Sequence, residues 1–279
     1  MKGPLTINGY YHMPAEDAAG FTPDGWCRTG DLGFLDERGG LWIRGRKKQI
    51  IRVGGYTVIP NEIEELVAQL PGVAQAVAIG MPDPVRGEAV WLVLQPRQGE
   101  TIDVNAALAV CKAVEPYGLF FFEEPLHYTD PWGYSELCQA TEVPIAGGEC
   151  LTAMYEWRVF AERDCFDIGQ PDASFTGGLS EFLRVAEMLH ARGKGVATHA
   201  WGAAVGLAAT IQFLAALPDQ PPSLFPFSPM LEFEQEENPF RDHLALEPIR
   251  QVEGRVKVPT GPGLGIEIDR TVIDRHRVA

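Results

Sequence analysis

From residue 119 onward the chain alternates short apolar runs with longer amphipathic ones, and this alternation limits the fold more than any other feature. LFFFEEP, VPIAGGE, FDIGQPD, GVATH and PMLEFE read as buried strands. Between them, SEFLRVAEMLHARG places Phe182, Val185 and Leu189 on one helical face, whereas AAVGLAATIQFLAAL is apolar nearly all round and predicts a buried helix. Strand, helix and strand at this spacing form the pattern of a parallel βα array.

Each predicted strand ends in an ionisable side chain: Glu123, Glu149, Asp172, His199 and Glu232. The first four are 26, 23 and 27 residues apart, the length of one strand plus one crossover helix. That spacing places them on one rim, and in a (β/α)8 barrel the carboxyl-end rim carries the chemistry. Converging carboxylates suit a hard divalent cation such as Mg2+. A His beside an Asp suits a general base with an orienting partner. Each motif also has a plainer reading: Glu-Glu before Pro as a solvated loop, a single His as a core residue, and Glu232 as part of the acidic run EFEQEE. His12, His127, His190, His243 and His276 have no partner at such spacing and read as surface or packing residues.

In order, EEP, GGE, QPD, THAWG, LEFE and GPGLGIEID resemble the enolase superfamily over residues 103 to 279, in particular the mandelate racemase-like acid-sugar dehydratases and racemases. The resemblance implies that Glu123 and Glu149 are metal ligands, Asp172 and His199 a catalytic dyad, and Glu232 a carboxylate that hydrogen-bonds the substrate acid or intermediate. It implies Mg2+-assisted abstraction of a proton α to a carboxylate, on a small carboxylic acid or acid sugar.

Asp103-Val104-Asn105 looks like a further metal-binding strand end, but Asp103 lies only 20 residues before Glu123 and follows the polar stretch QPRQGET. Ala106 to Val114 reads as a helix stopped by Pro116 and Gly118, so Asp103 is expected to cap it. On that reading the chain joins the barrel before its fourth strand. By the enolase-superfamily resemblance, the first three strands would then be missing, and with them one metal carboxylate, a lysine base and a capping domain. The metal site and turnover are accordingly expected to be impaired, with a chimeric chain that has no catalysis as the alternative, and the exposed strand edges at LFFFEEP and PMLEFE to favour self-association.

The first hundred residues have a different texture, with short runs broken by DERGG and VGG turns and one helix after Pro60, for which Asn61 is the expected N-cap. GWCRTGDLGFLDERGGLWIRGRKKQIIRVGGYTVIPNEIEE resembles the adenylate-forming acyl-CoA synthetases over about residues 3 to 102. By that resemblance Asp31 and Arg46 hold the ribose of ATP, Lys48 sits at the hinge between half-reactions, and Gly54-Gly55 lines the route of CoA. The phosphate-binding loop and terminal lysine segment of that family do not accompany these motifs.

The expected architecture is therefore α/β. A partial (β/α)8 barrel, about strands 4 to 8 with their helices, occupies residues 103 to 279. A small β-rich α+β region, the end of a ligase large domain plus the start of its C-terminal domain, occupies residues 1 to 102. The seam is expected at about residues 95 to 103, where the charge balance also changes. Residues 1 to 102 carry 10 Lys+Arg against 12 Asp+Glu, whereas residues 103 to 279 carry 13 against 26.

The net charge of −15 argues against nucleic acid or an anionic membrane as partner. No apolar run approaches the roughly 20 residues of a membrane span. The start MKGPLTINGYYHM lacks a signal-peptide core, so a cytoplasmic protein is expected. Five scattered cysteines, without a CxxC pair, read as reduced thiols.

Overall fold

A computed structural model describes residues 2–4, 6–83, 86–98, 102–218 and 229–277. The chain divides into two compact units, Met1–Gly99 and Glu100–Ala279. Residues 99 to 101 of the expected seam lie outside the described residues.

The first unit opens with a short helix, α1 (Pro14–Gly20), followed by a hairpin of β1 (Asp31–Leu35) and β2 (Leu41–Arg46). Its turn is closed by the Asp36 carboxylate, which accepts from the backbone N–H of Arg38 at 2.9 Å and of Gly40 at 2.7 Å, a local side-chain bond that favours a turn over continued strand. A separate antiparallel sheet has the order β4-β3-β6-β5, made from β3 (Ile51–Val53), β4 (Tyr56–Val58), β5 (Val73–Asp83) and β6 (Gly87–Pro96). The helix α2 (Pro60–Ala68) buries Ile63 and Val67, and the sheet buries Ile51, Val73 and Val90.

The expected Asn61 cap is corrected here. Ile59 occupies the N-cap position without a side-chain bond, and Pro60 takes the first helical position. Proline needs no N–H there and its φ is already helical, so the helix starts two residues early and places Asn61 inside its first turn.

The second unit begins with α3 (Val104–Val114). Asp103 is its N-cap, and its carboxylate accepts from the Ala106 N–H at 2.8 Å. The side chain read as a cap is thus engaged at a helix start, not at a strand end. Then β7 (Phe122–Glu123), α4 (Pro131–Ala140), β8 (Ile145–Gly147), α5 (Met154–Glu162), β9 (Ile168–Gly169), α6 (Leu179–Ala191), β10 (Gly195–Thr198), α7 (Ala204–Ala216) and β11 (Met230–Leu231) follow in alternation. The strands form one parallel five-stranded sheet in the order β11-β10-β9-β8-β7, curled as a half-barrel, with each neighbour reached through a helix. Short elements complete the unit: α8 (Pro239–Asp242), β12 (Gln251–Val252), β13 (Arg255–Val256) and α9 (Arg270–Arg275).

Packing follows the periodicity. The helix α6 buries Phe182, Val185, Ala186 and Leu189, and Phe182 stacks on Phe213 of α7 with ring centroids 3.5 Å apart. Trp157, Phe160, Phe166 and Tyr134 form an aromatic cluster between α4, α5 and β9. The helix α7 differs from expectation, since Val205, Ala215 and Ala216 are exposed while Leu207, Ala208, Ile211 and Phe213 are buried. Its outward positions carry mostly small methyl groups, which expose little apolar area.

Replacing Asp103 by Ala removes the α3 cap and is expected to cost about 1 kcal/mol. Urea unfolding followed in the second unit, together with faster amide exchange at the start of α3, measures that loss.

Candidate active site

The strand ends place the ionisable groups by simple means. The strands β9 and β10 run parallel in register, and the pairing continues one step beyond them as an isolated bridge between Asp172 and His199. The two side chains therefore emerge side by side. His199 Nδ1 lies 2.6 Å from Asp172 Oδ2. Asp172 is 2% exposed and His199 9% exposed. The Ser174 N–H donates to the other Asp172 oxygen at 2.5 Å, which holds the carboxylate in place.

With Nδ1–H donating to Asp172, Nε2 is the ring's proton-accepting atom. It lies 3.6 Å from Glu149 Oε2 and 3.9 Å from Glu232 Oε2. Glu232 follows β11 and is itself held, accepting from the Trp201 indole N–H at 3.0 Å and from the Ala200 N–H at 3.3 Å. The Trp201 ring stacks beside the imidazole at 6.2 Å.

Glu149 is set by the glycines before it. Gly148 has φ +106, and a Cβ there would lie 2.5 Å from the Trp157 ring, so only glycine permits the turn to pack on that indole. Glu124, after β7, is a non-glycine residue at φ +40, a backbone state that costs of order 1–3 kcal/mol and is concentrated at functional sites.

Four of the five expected groups thus meet at one rim: Asp172, His199, Glu149 and Glu232. The fifth, Glu123, is on the same rim, but its Oε1 accepts from the Gln170 side-chain amide. Among the described residues, Glu124, Glu149 and Cys150 have ligand atoms within 4.8 Å of one another. Glu124 and Gln170 carried no assigned role in the sequence. The second Glu of EEP and the Gln of QPD were the available signals.

The electrostatics follow from crowding. Burial raises the Glu124 carboxyl above its ordinary value, and the Glu149 charge adds to this. Burial likewise raises Glu149, with Glu232, Glu123 and Asp172 adding repulsion that the His199 imidazole partly offsets. Partial burial raises Glu232, again against the pull of His199. For Asp172, burial acts upward, but bonds from His199 and Ser174 outweigh it and hold the carboxyl low. For His199, burial acts downward and is outweighed by Asp172, Glu149 and Glu232, so the imidazole is raised.

In the first unit, Asp31 and Arg46 face each other across β1 and β2 and form an ion pair at 3.3 Å. Lys48 lies in the turn after β2 and lines a cavity with Asn61, Glu64 and Glu88. Gly54 and Gly55 form the β3–β4 turn, both with positive φ.

The profile of the enolase C-terminal domain-like family matches residues 56–272. The chain belongs to that family. Among its relatives, the D-galactarolactone cycloisomerase of Agrobacterium fabrum is 34% identical over 196 residues, 68% of this chain and 52% of that protein. The 3,6-anhydro-D-galactonate cycloisomerase of Zobellia galactanivorans has a TM-score of 0.55 at 31% identity, covering 62% of this chain and 47% of that one. A putative mandelate racemase from Bordetella bronchiseptica RB50 has a TM-score of 0.58 at 30% identity, covering 64% and 44%. This family member therefore spans about half the length of the relatives it matches. It is also similar to the sulfoacetate–CoA ligase of Cupriavidus necator, 40% identical over 111 residues, which are 40% of this chain and 22% of that protein.

The raised imidazole and lowered Asp172 carboxyl define a pH window. The His199 contribution to stability is complete below about pH 6.5 and disappears as pH rises through the folded value. The Asp172 contribution is complete above about pH 3.9 and disappears as pH falls through its folded value. NMR titration is expected to give a His199 pKa above the ordinary imidazole value, and Asp172→Asn to lower it.

Proposed function

We propose that the half-barrel abstracts a proton α to the carboxylate of an acid sugar or related small carboxylic acid, leading to dehydration, racemisation or cycloisomerisation. The observation that carries this reading is the direction of His199, with Nδ1 anchored on buried Asp172 and Nε2 turned into a ring of carboxylates.

The donor set fits a hard divalent cation. Glu123, Glu124, Glu149 and Glu232 repel one another around one imidazole, and their oxygens are the ligands Mg2+ prefers, whereas the Cys150 thiol is not. Glu123 and Glu149 would hold the ion, with Glu124 in reach of the same place. Bound there, Mg2+ supplies charge stabilisation for the anion that proton removal leaves.

The chain's own groups do the rest. His199 Nε2 takes the α proton while the electron pair stays on the substrate. Asp172 keeps the tautomer and stabilises the resulting imidazolium. Glu232, steadied by Trp201 and Ala200, hydrogen-bonds the substrate acid. The anion is then protonated by water on the opposite face of the carbon, or its electron pair forms a C=C bond as the β C–O bond breaks, releasing hydroxide or opening a ring. Turnover below the family's norm belongs to this reading, because no lysine makes a polar contact with these groups among the described residues. Self-association belongs to it as well, through β7 and β11, the outer strands of the sheet.

Mg2+-dependent turnover of an acid-sugar panel is expected, and His199→Asn should lower it by at least about 100-fold. Wild-type protein with no metal-dependent product on any member of the panel would remove the proposal.

A second reading concerns the first unit, where the Asp31–Arg46 pair and the CoA ligase similarity point to a segment derived from an adenylate-forming ligase, joined to the barrel segment as a fusion. It would bring ATP and CoA as ligands. ATP–pyrophosphate exchange separates this reading from the first: none is expected from the chain, and measurable exchange would contradict that expectation.

A further inference from the structure

Gln170 stands out because its polar side chain is buried with only one of its two ends satisfied. It follows β9, is 5% exposed, and lies two residues before Asp172. Its Nε2 donates to Glu123 Oε1. Its Oε1 is buried and has no hydrogen-bond partner among the described residues. A buried amide with one end satisfied and the other empty is unfavourable, and a fold under no other demand would place an apolar side chain there.

The second observation is where the satisfied end points. Glu123 is the one expected ligand whose carboxylate is not within ligand distance of the Glu124, Glu149 and Cys150 set. It ends a two-residue strand at the sheet edge, is exposed, and makes no other side-chain hydrogen bond among the described residues. Left alone, such a side chain would sample several rotamers. The Gln170 amide removes that freedom by holding one oxygen and leaving the other available.

We propose that Gln170 is a positioning residue for a divalent cation: Nε2 orients the Glu123 carboxylate, and Oε1 accepts a hydrogen bond from a water that the cation carries. Mg2+ dehydrates reluctantly and keeps several waters when bound by carboxylates. Such a water is an O–H donor of the kind the empty carbonyl lacks. This inference rests on the reading above that Glu123 and Glu149 hold the ion.

The test is Mn2+ binding to the full chain, read by calorimetry and by the loss of free-ion EPR signal. Gln170→Met keeps the side chain's volume and removes both polar ends. It is expected to weaken Mn2+ binding about 10- to 100-fold, with the melting temperature unchanged or higher. Gln170→Asn keeps the amide but shortens it by one methylene, and is expected to lose comparable affinity. Glu149→Gln serves as the site control and is expected to abolish binding.

Unchanged Mn2+ affinity in both Gln170 variants, with binding lost in Glu149→Gln, would overturn the positioning role and leave the metal site standing. A Gln170→Met protein that unfolds while Gln170→Asn binds Mn2+ like wild type would assign Gln170 to the fold instead, and also overturns the proposal. Wild-type protein that takes up no Mn2+ above surface binding would overturn the metal site and the inference together.

Discussion

The bond between His199 and Asp172 is the contact on which the rest of the rim depends. Asp172 is nearly inaccessible, and a buried carboxylate without a partner is costly. The imidazole supplies that partner, and the parallel register of β9 and β10 delivers it without any long-range adjustment. Once Nδ1 is committed to Asp172, Nε2 has one direction left, toward Glu149 and Glu232. The buried end of the pair is thus anchored, and the open end faces the carboxylates of the rim.

This arrangement explains why so many acidic groups can share one rim. Glu124, Glu149 and Glu232 are each raised by burial and mutual repulsion, an energetic load that a folded domain keeps only where something offsets it. Part of the offset is the imidazole. The strained backbone at Glu124 and the close glycine turn at Gly148 belong to the same economy, because both serve to place carboxylates that the fold itself does not need.

Much of this was legible in the residues because parallel βα units are long, regular and strongly patterned. Glu123, Glu149, Asp172 and His199 fall at strand ends that their spacing could locate, and Glu232 at one marked by the apolar run PML. Asp103 could be read as a cap because the polar stretch before it cannot form a strand. Less was legible where a single residue decides direction. Glu123 and Glu124 are adjacent, and nothing in EEP says which carboxylate turns toward Glu149. Gln170 is polar in a buried position, a feature visible only once burial is known. Asn61 was misread because Pro60 can itself begin a helix, and the outward face of α7 because alanines satisfy solvent and core alike. In the first unit, TGD and GR could be matched to a ligand-binding role by likeness, whereas their pairing across a hairpin required the register.

The most direct test of the account is a crystal structure of the chain soaked in Mn2+, with anomalous scattering collected at the metal edge. The account predicts one anomalous peak among the Glu123, Glu124 and Glu149 carboxylates, with His199 Nδ1 still on Asp172 and Nε2 facing the ion's side of the rim. A rim without a peak, or an imidazole turned away from Asp172, would contradict it.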